Sequence, residues 1–448
     1  MDMLHGTIWD KTLRFALPLA ATGILQHLFN AADVAVVGQY VGKQAMAAVG
    51  SNTSIINLFI NLFVGISLGA NVLISQYLGA GDRKGIKRTV HTAVVVALLG
   101  GVSLSLIGQA AARPMVKLLG VPDNVAPMSE LYFRIYMTGM PVILLYNFEA
   151  AIFRSRGDTK TPLAVLSAAG VINVALNFFF VVKLHRSVDG VAIATVASNL
   201  ISAGVLFFLL VRSCEEVHID FRALRVDWAT LLKMMKIGIP AGVQSMVFSL
   251  ANVCVQSAIN SLGDTVMAAS TAASNVETMT FQILTSFGQA CTTFTRQNCG
   301  AGDLKRCHRG LFVTLLTGQT VMLLGGAVVL TLAQRLLGIF NSDPEVIEMG
   351  LLRVRYMYFG QLFYLVLEVV SGYMRGFGLS FIPAVCSLVF ICGIRIFWVF
   401  AIFPGYQTYK ALMLVYPVSL SLTACIIAAV CFVLRKKIDG HVKKAAVS

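Results

Sequence analysis

The chain has 448 residues, of which 57% are hydrophobic and only 12% charged, against a usual charged share of about 25%. With a mean hydropathy of +0.78 it carries more apolar surface than a soluble protein can bury, which makes it a polytopic membrane protein. The formal net charge of +14 invites a nucleic-acid partner, but the placement of the basic residues excludes one.

Apolar windows of spanning length recur between short loops bearing Gly, Pro or charge. They predict an all-α protein of twelve transmembrane helices, at about 14–37, 51–77, 88–112, 127–153, 161–183, 189–211, 236–260, 271–296, 310–333, 348–374, 380–403 and 410–434. No stretch alternates with period two, so a β-barrel is not expected. The first window, Phe15–Val37, is long enough at about 1.5 Å per residue to cross hydrocarbon about 30 Å thick. It lacks a small-residue cleavage site and should remain a helix. Pro18 lies inside it and removes one helical hydrogen bond, which predicts a bend.

The same window holds Asp33. An ionised acid inside hydrocarbon costs at least a few kcal/mol, so such a residue marks a functional site unless it is neutralised. Gln26, Asn30 and Asp33 are spaced four and three apart and share a helix face. Two readings are open: a structural acid capped by polar neighbours, or a site for an ion or a proton.

Lys and Arg cluster on one side of the membrane. They include Lys11 and Arg14, then Arg83, Lys84, Lys87 and Arg88, then Arg154, Arg156 and Lys160; Arg296, Lys305, Arg306, Arg309 and Arg375 follow, and Arg435, Lys436, Lys437, Lys443 and Lys444 close the chain. The other side has only Lys43, Arg113, Lys117, Lys183, Arg186, Arg335 and Lys410. The positive-inside rule then places both termini in the cytoplasm, with the chain in the plasma membrane. The basic charge is topological, and no nucleic-acid partner is implied.

The longest loop, Ser213 to Asp227, falls near mid-chain, giving an N-lobe over 1–212, a cytoplasmic linker over 213–235 and a C-lobe over 236–448. The halves repeat. Gly79-Ala80-Gly81-Asp82 returns as Gly300-Ala301-Gly302-Asp303, an offset of 221 that also relates Arg154 to Arg375, Gly157 to Gly378 and Pro162 to Pro383. A constant offset indicates duplication. Six helices per repeat is an even number, so both lobes enter the membrane the same way round, related by a pseudo-two-fold axis along its normal.

Chemistry of other kinds has little support. The glycine turns at Gly79/Gly81 and Gly300/Gly302 lack the Lys-Ser/Thr ending of a phosphate-binding loop; they suit helix ends in the left-handed conformation. No nucleophile–base cluster is visible, so an enzyme is not expected. The nine cysteines form no CxxC pair and no zinc spacing, so they read as small core residues; no metal site or cofactor is implied.

Polar stripes do recur inside helices: Asn57 with Asn61, Asn173 with Asn177, Thr195 with Asn199, and Asn252, Gln256 and Asn260. Singly, each suits helix packing; together with Asp33, those of the first half suggest a cavity. The second half holds Glu277, Glu368 and Arg395, for which an internal ion pair of Glu368 or Glu277 with Arg395 is the economical expectation and a substrate or ion site the alternative. Glu149, four residues before Phe153-Arg154, reads as a gate or rim residue.

The order Pro18…Asp33, the segment Tyr146-Asn147-Phe148-Glu149-Ala150-Ala151-Ile152-Phe153-Arg154-Ser155-Arg156-Gly157-Asp158-Thr159-Lys160-Thr161-Pro162, and Gly190-Val191-Ala192-Ile193-Ala194-Thr195 resemble the multidrug and toxic compound extrusion (MATE) family over essentially the whole chain. The resemblance implies a secondary active antiporter that expels organic, often cationic, compounds in exchange for H+ or Na+ by alternating access. It implies Asp33 as the N-lobe coupling acid, possible Na+ there, with Asn173, Asn177 and Thr195 completing the site and the Pro18 bend linked to protonation. Some relatives have Asp where this chain has Asn177. Val255 falls where the repeat would copy Asp33, and the glutamate some relatives carry on helix 7 is absent. Small organic cations and the bilayer are the expected partners, and a monomer the expected state. A lipid-linked oligosaccharide flippase of the same superfamily is the alternative; its cavity would have to be strongly cationic.

Overall fold

The computed structural model describes residues 2–118, 121–212, 217–220, 224–338 and 343–445; of the expected linker, 213–216 and 221–223 lie outside them. The described residues contain no strand. The first half comprises α1 (Ile8–Tyr40), α2 (Lys43–Ala80), α3 (Arg83–Leu118), α4 (Ala126–Thr138), α5 (Met140–Ser155), α6 (Lys160–Asn177) and α7 (Val188–Arg212). The second comprises α8 (Trp228–Asn260), α9 (Asp264–Gly300), α10 (Leu304–Gly338), α11 (Pro344–Gly376), α12 (Phe381–Cys386), α13 (Gly393–Phe397), α14 (Phe403–Tyr406), α15 (Tyr409–Met413) and α16 (Val415–Ala445).

These elements make twelve long helical rods among the described residues. In the first half α4 and α5 form one rod bent by 49°. The bend sits at Gly139, followed by Pro141, which cannot donate to the helix ladder. In the second half α12–α14 form one rod and α15–α16 another. Nine rods, or ten with the bent one, are apolar enough throughout to pass as membrane spans. The others, α9 and α11, are 37 and 33 residues long and carry Glu277, Arg353, Glu368 and Arg375, which lowers their hydropathy.

Two of the rods change pitch, one at its C-terminal end and the other on both sides of its middle. α6 runs on into a π-helical turn at Phe178–Lys183, and α13 is bracketed by π turns at Ser387–Cys392 and Trp398–Ile402. Such widened turns often mark functional positions. Short connections rely on left-handed glycines: Gly81 and Gly302 have φ of 69° and 78°, and their fellow repeat pair Gly157 and Gly378 have 76° and 82°. Gly79 serves differently, since a Cβ there would lie 1.9 Å from the Gln297 carbonyl oxygen.

The chain forms two compact units, one of Ala21–Leu78 and Asp82–Gly238, the other of Met1–Ala20, Gly79–Gly81 and Ile239–Ser448. The first twenty residues thus belong with the second half: Met3, Ile8, Phe15, Ala16 and Leu19 join the core of Phe287, Phe294, Leu365 and Tyr373. Asn298 and Arg306 donate to the Met3 carbonyl at 3.3 Å, which anchors the start of the chain there. In the other unit His91 on α3 meets the Asp220 backbone N–H at 3.0 Å, fixing the described part of the connecting segment.

Candidate functional site

In the Ala21–Gly238 unit, polar groups close on Asp33 of α1, which is only 5% exposed. Asn177, the last α-helical residue before the π turn, donates its Nδ2 to Asp33 Oδ1 at 2.5 Å. Thr195 on α7 donates its hydroxyl to Oδ2 at 3.0 Å. Asn173 lies one helical turn before Asn177 and accepts from the same Nδ2 at 3.3 Å. Periodicity explains the cluster: Asn173 and Asn177 share a face of α6, and the hydroxyl of Thr195 stays near its own turn through the Val191 carbonyl at 2.9 Å. Asn199 lies behind it, bonded to the Thr195 carbonyl at 2.8 Å.

No Lys, Arg or His pairs with Asp33 among the described residues. One acceptor, Asn177 Oδ1, is buried there with no hydrogen-bond partner. A carboxylate, amide oxygens and a hydroxyl are the hard donors that a proton or a small cation such as Na+ needs. Tyr132 and Tyr136 on α4 also lie within electrostatic range of Asp33; their spacing of four was a readable but unused signal.

The other polar residues expected in this half do not join the cluster. Gln26, Asn30 and Asn57 are exposed and Asn61 is half-buried, and none is hydrogen-bonded to Asp33 or its partners among the described residues. The polar set therefore closes from α6 and α7, not from α2. The buried asparagines of α2 are instead Asn52, which donates to the Ser129 carbonyl and hydroxyl at 2.9 Å, and Asn71, which donates to the Ala151 carbonyl at 3.1 Å. Glu149 is no rim residue: it is 0% exposed on α5, and neither carboxylate oxygen has a hydrogen-bond partner among the described residues. Its nearness in sequence to the Gly157 turn hid its depth, because α5 packs inward on α3 and α7.

In the Ile239–Ser448 unit the expected ion pairs are rearranged. Glu277 on α9 is held fork-to-fork by Arg353 of α11, with both N–H···O contacts at 3.0 Å, and Arg353 also donates to the Ser270 hydroxyl. Glu368 accepts from Arg375 at 3.3 Å and from the Tyr364 hydroxyl at 3.1 Å. Arg375 reaches on to Gln244 at 3.2 Å, and Gln244 to Ser387 at 3.0 Å. Neither glutamate meets Arg395, contrary to expectation, because each has a nearer arginine. Arg353 is one that sequence reasoning left out, and Arg375 was assigned to the cytoplasmic edge.

Arg395 is 0% exposed. Its Nη1 donates to Asn252 Oδ1 at 2.6 Å and its Nε to Ser419 Oγ at 3.3 Å. The rings of Phe248 and Tyr416 flank it, with centroids 5.0 and 4.8 Å from Cζ. Gln256 bonds only along its own helix, to Asn260 at 2.8 Å.

Two bundles of membrane-length helices, one of them holding a buried acid that only neutral groups contact among the described residues, suit a membrane transporter. The solved outward-facing conformation of a multidrug resistance MATE family transporter of the MOP superfamily has the same fold, at TM-score 0.89 and 19% identity over 99% of this chain and 98% of that one. The MatE family profile matches residues 18–179 and 240–400, covering both repeats. The chain belongs to the MatE family. It is 28% identical over 406 residues to a probable multidrug resistance protein of Bacillus subtilis, covering 87% of this chain and 86% of that protein. It is 25% identical over 402 residues to another from Thermotoga maritima, covering 87% and 84%.

Proposed function

We propose that this transporter is a secondary active antiporter that exports small organic, often cationic, compounds in exchange for H+ or Na+, with Asp33 as the coupling acid. The observation that carries this reading is a buried carboxylate whose hydrogen-bond partners among the described residues are all neutral. Such a charge is costly until a proton or cation neutralises it, so occupancy of the site changes the energy of the helices around it. Thr195 and Asn177 orient the two oxygens, and the unpartnered Asn177 Oδ1 beside them offers a further ligand.

Alternating access requires each ligand to prefer a different state of the carrier. Loading Asp33 from outside relaxes α6 and α7 around it and favours release of the exported compound; unloading inward restores the starting state. Pro18 leaves α1 short of one backbone hydrogen bond on the same helix, a place where the rod can bend during that cycle. The drug-resistance names of the relatives support small organic cargo and do not favour a lipid-linked oligosaccharide flippase. In this reading the carrier works as a monomer in the cytoplasmic membrane, with both termini inside. In this reading it needs no cofactor beyond the coupling ion.

The test is transport of ethidium into proteoliposomes under imposed pH and Na+ gradients applied separately. One of the two gradients should drive accumulation in the parent and fail in Asp33→Asn. Asp33→Asn protein that responds to either gradient as the parent does would sink the proposal.

A further inference from the structure

Arg395 is not explained by proton or sodium coupling at Asp33. A buried guanidinium kept for structure is usually matched by a carboxylate with its N–H groups satisfied. Among the described residues no carboxylate is a partner of Arg395, because Arg353 holds Glu277 and Arg375 holds Glu368. Among the described residues it is held by the neutral oxygens of Asn252 and Ser419 and by two aromatic faces. Its Nη2 is buried and has no hydrogen-bond partner among the described residues. The Tyr416 ring also faces Arg353, 5.7 Å from its Cζ. Two guanidinium groups therefore share that ring while one carboxylate, Glu277, neutralises one of them.

We infer that Arg395 is an oxyanion receptor, taking the carboxylate or phosphate group of an anionic aromatic compound on Nη2. The inference rests on the exporter reading and adds a substrate class to it. Arginine presents its donors as a planar fork suited to such oxygens. The body of the ligand has a surface beside it: Phe248 lies 5.5 Å from both Phe281 and Tyr364, which stack on each other at 4.6 Å. Phe248 and Asn252, the two α8 side chains that touch the guanidinium, are themselves only half-buried. The π turns on either side of α13 hold the arginine at a point where the rod departs from regular pitch.

Carboxyfluorescein and ethidium, an anionic and a cationic aromatic dye, test the assignment by fluorescence anisotropy on the purified full chain. The parent should bind carboxyfluorescein. Arg395→Gln should shift the ratio of the two dissociation constants against the anion by about tenfold or more, the loss of a charge-assisted contact. Asn252→Asp should do the same by supplying the missing carboxylate 2.6 Å from Nη1, and it keeps the buried charge balanced if Arg395→Gln does not fold. No carboxyfluorescein binding by the parent, or equal weakening of both dyes in Asn252→Asp, overturns the inference. Ethidium transport in proteoliposomes separates it from the exporter reading. A parent that moves ethidium but ignores carboxyfluorescein sinks the anion site alone; one that binds carboxyfluorescein but moves neither dye sinks the exporter alone.

Discussion

The two units solve the same packing problem with opposite charges. One centres on Asp33, reached from α6 and α7; the other centres on Arg395, reached from α8 and α16. The internal repeat makes these related places. Asn252 follows Asn30 by 222, the offset that also separates Pro240 from Pro18, and Ser419 follows Ser198 by 221. The same offset carries Thr195, the Asp33 donor, onto Tyr416, the ring beside Arg395. Duplication supplied a scaffold with a polar centre, and divergence gave the centre of one copy an acid and the centre of the other a base, each met by neutral partners among the described residues. Around the base, two further acid–base pairs close on themselves; no Lys, Arg or His pairs with the acid among the described residues. That asymmetry separates charges placed to bind from charges placed to hold helices together.

The largest effect should come from the acid. Asp33→Asn keeps the size, removes the charge and turns one of the two accepting oxygens into an N–H donor, so gradient-driven ethidium uptake should fall to the protein-free level while thermal stability in detergent stays close to that of the parent. Next comes the paired acid of the other unit. Glu277→Gln leaves Arg353 buried without its counter-charge, a loss of about 3–5 kcal/mol for a broken buried pair, read as a large drop in Tm. Adding Arg353→Met should recover much of that drop, because the pair is then removed together. A double variant no more stable than Glu277→Gln would mean that the Ser270 contact, not the charge match, holds α9 to α11. Smaller again, Asn177→Ala removes one charge-assisted hydrogen bond to Asp33, worth about 1.5–3 kcal/mol. Half-maximal uptake should then require a coupling-ion concentration shifted by about tenfold or more.

Much of this contrast was legible in the sequence. Composition and window length gave the helical rods, and the offset of 221 gave the repeat, because both are properties of one chain read in one dimension. Helical spacing placed Asn173 with Asn177. What spacing cannot say is which neighbouring helix a face meets. That is why Glu368 or Glu277 is expected on Arg395 from the sequence, whereas they are found on Arg375 and Arg353, and why Asn57 and Asn61 stay out of the Asp33 cluster. Position along the chain also misjudged depth. Glu149 and Arg375 sit near glycine turns in sequence, yet both are buried, and the first twenty residues pack with the second half. The π turns carry no composition signal at all; they depend on how the last turns of α6 and the turns around α13 are packed.

The smallest predicted effect is the sharpest check on the reasoning, because it uses the substitution that should be most damaging at Glu277. Glu149 is as deeply buried as its counterpart, but no arginine holds it and neither oxygen is hydrogen-bonded among the described residues. Glu149→Gln therefore strands no counter-charge and deletes no hydrogen bond; it exchanges a carboxyl for an amide of nearly the same shape. The amide brings two N–H donors that also need partners, which limits any gain. Stability should change by no more than about 1 kcal/mol, the range of substitutions that create neither a cavity nor an unpaired charge. Thermal melts of Glu149→Gln and Glu277→Gln, run side by side, would then differ by several degrees. Equal losses at the two positions would show that Glu149 has a charged partner and that pairing does not distinguish the two acids.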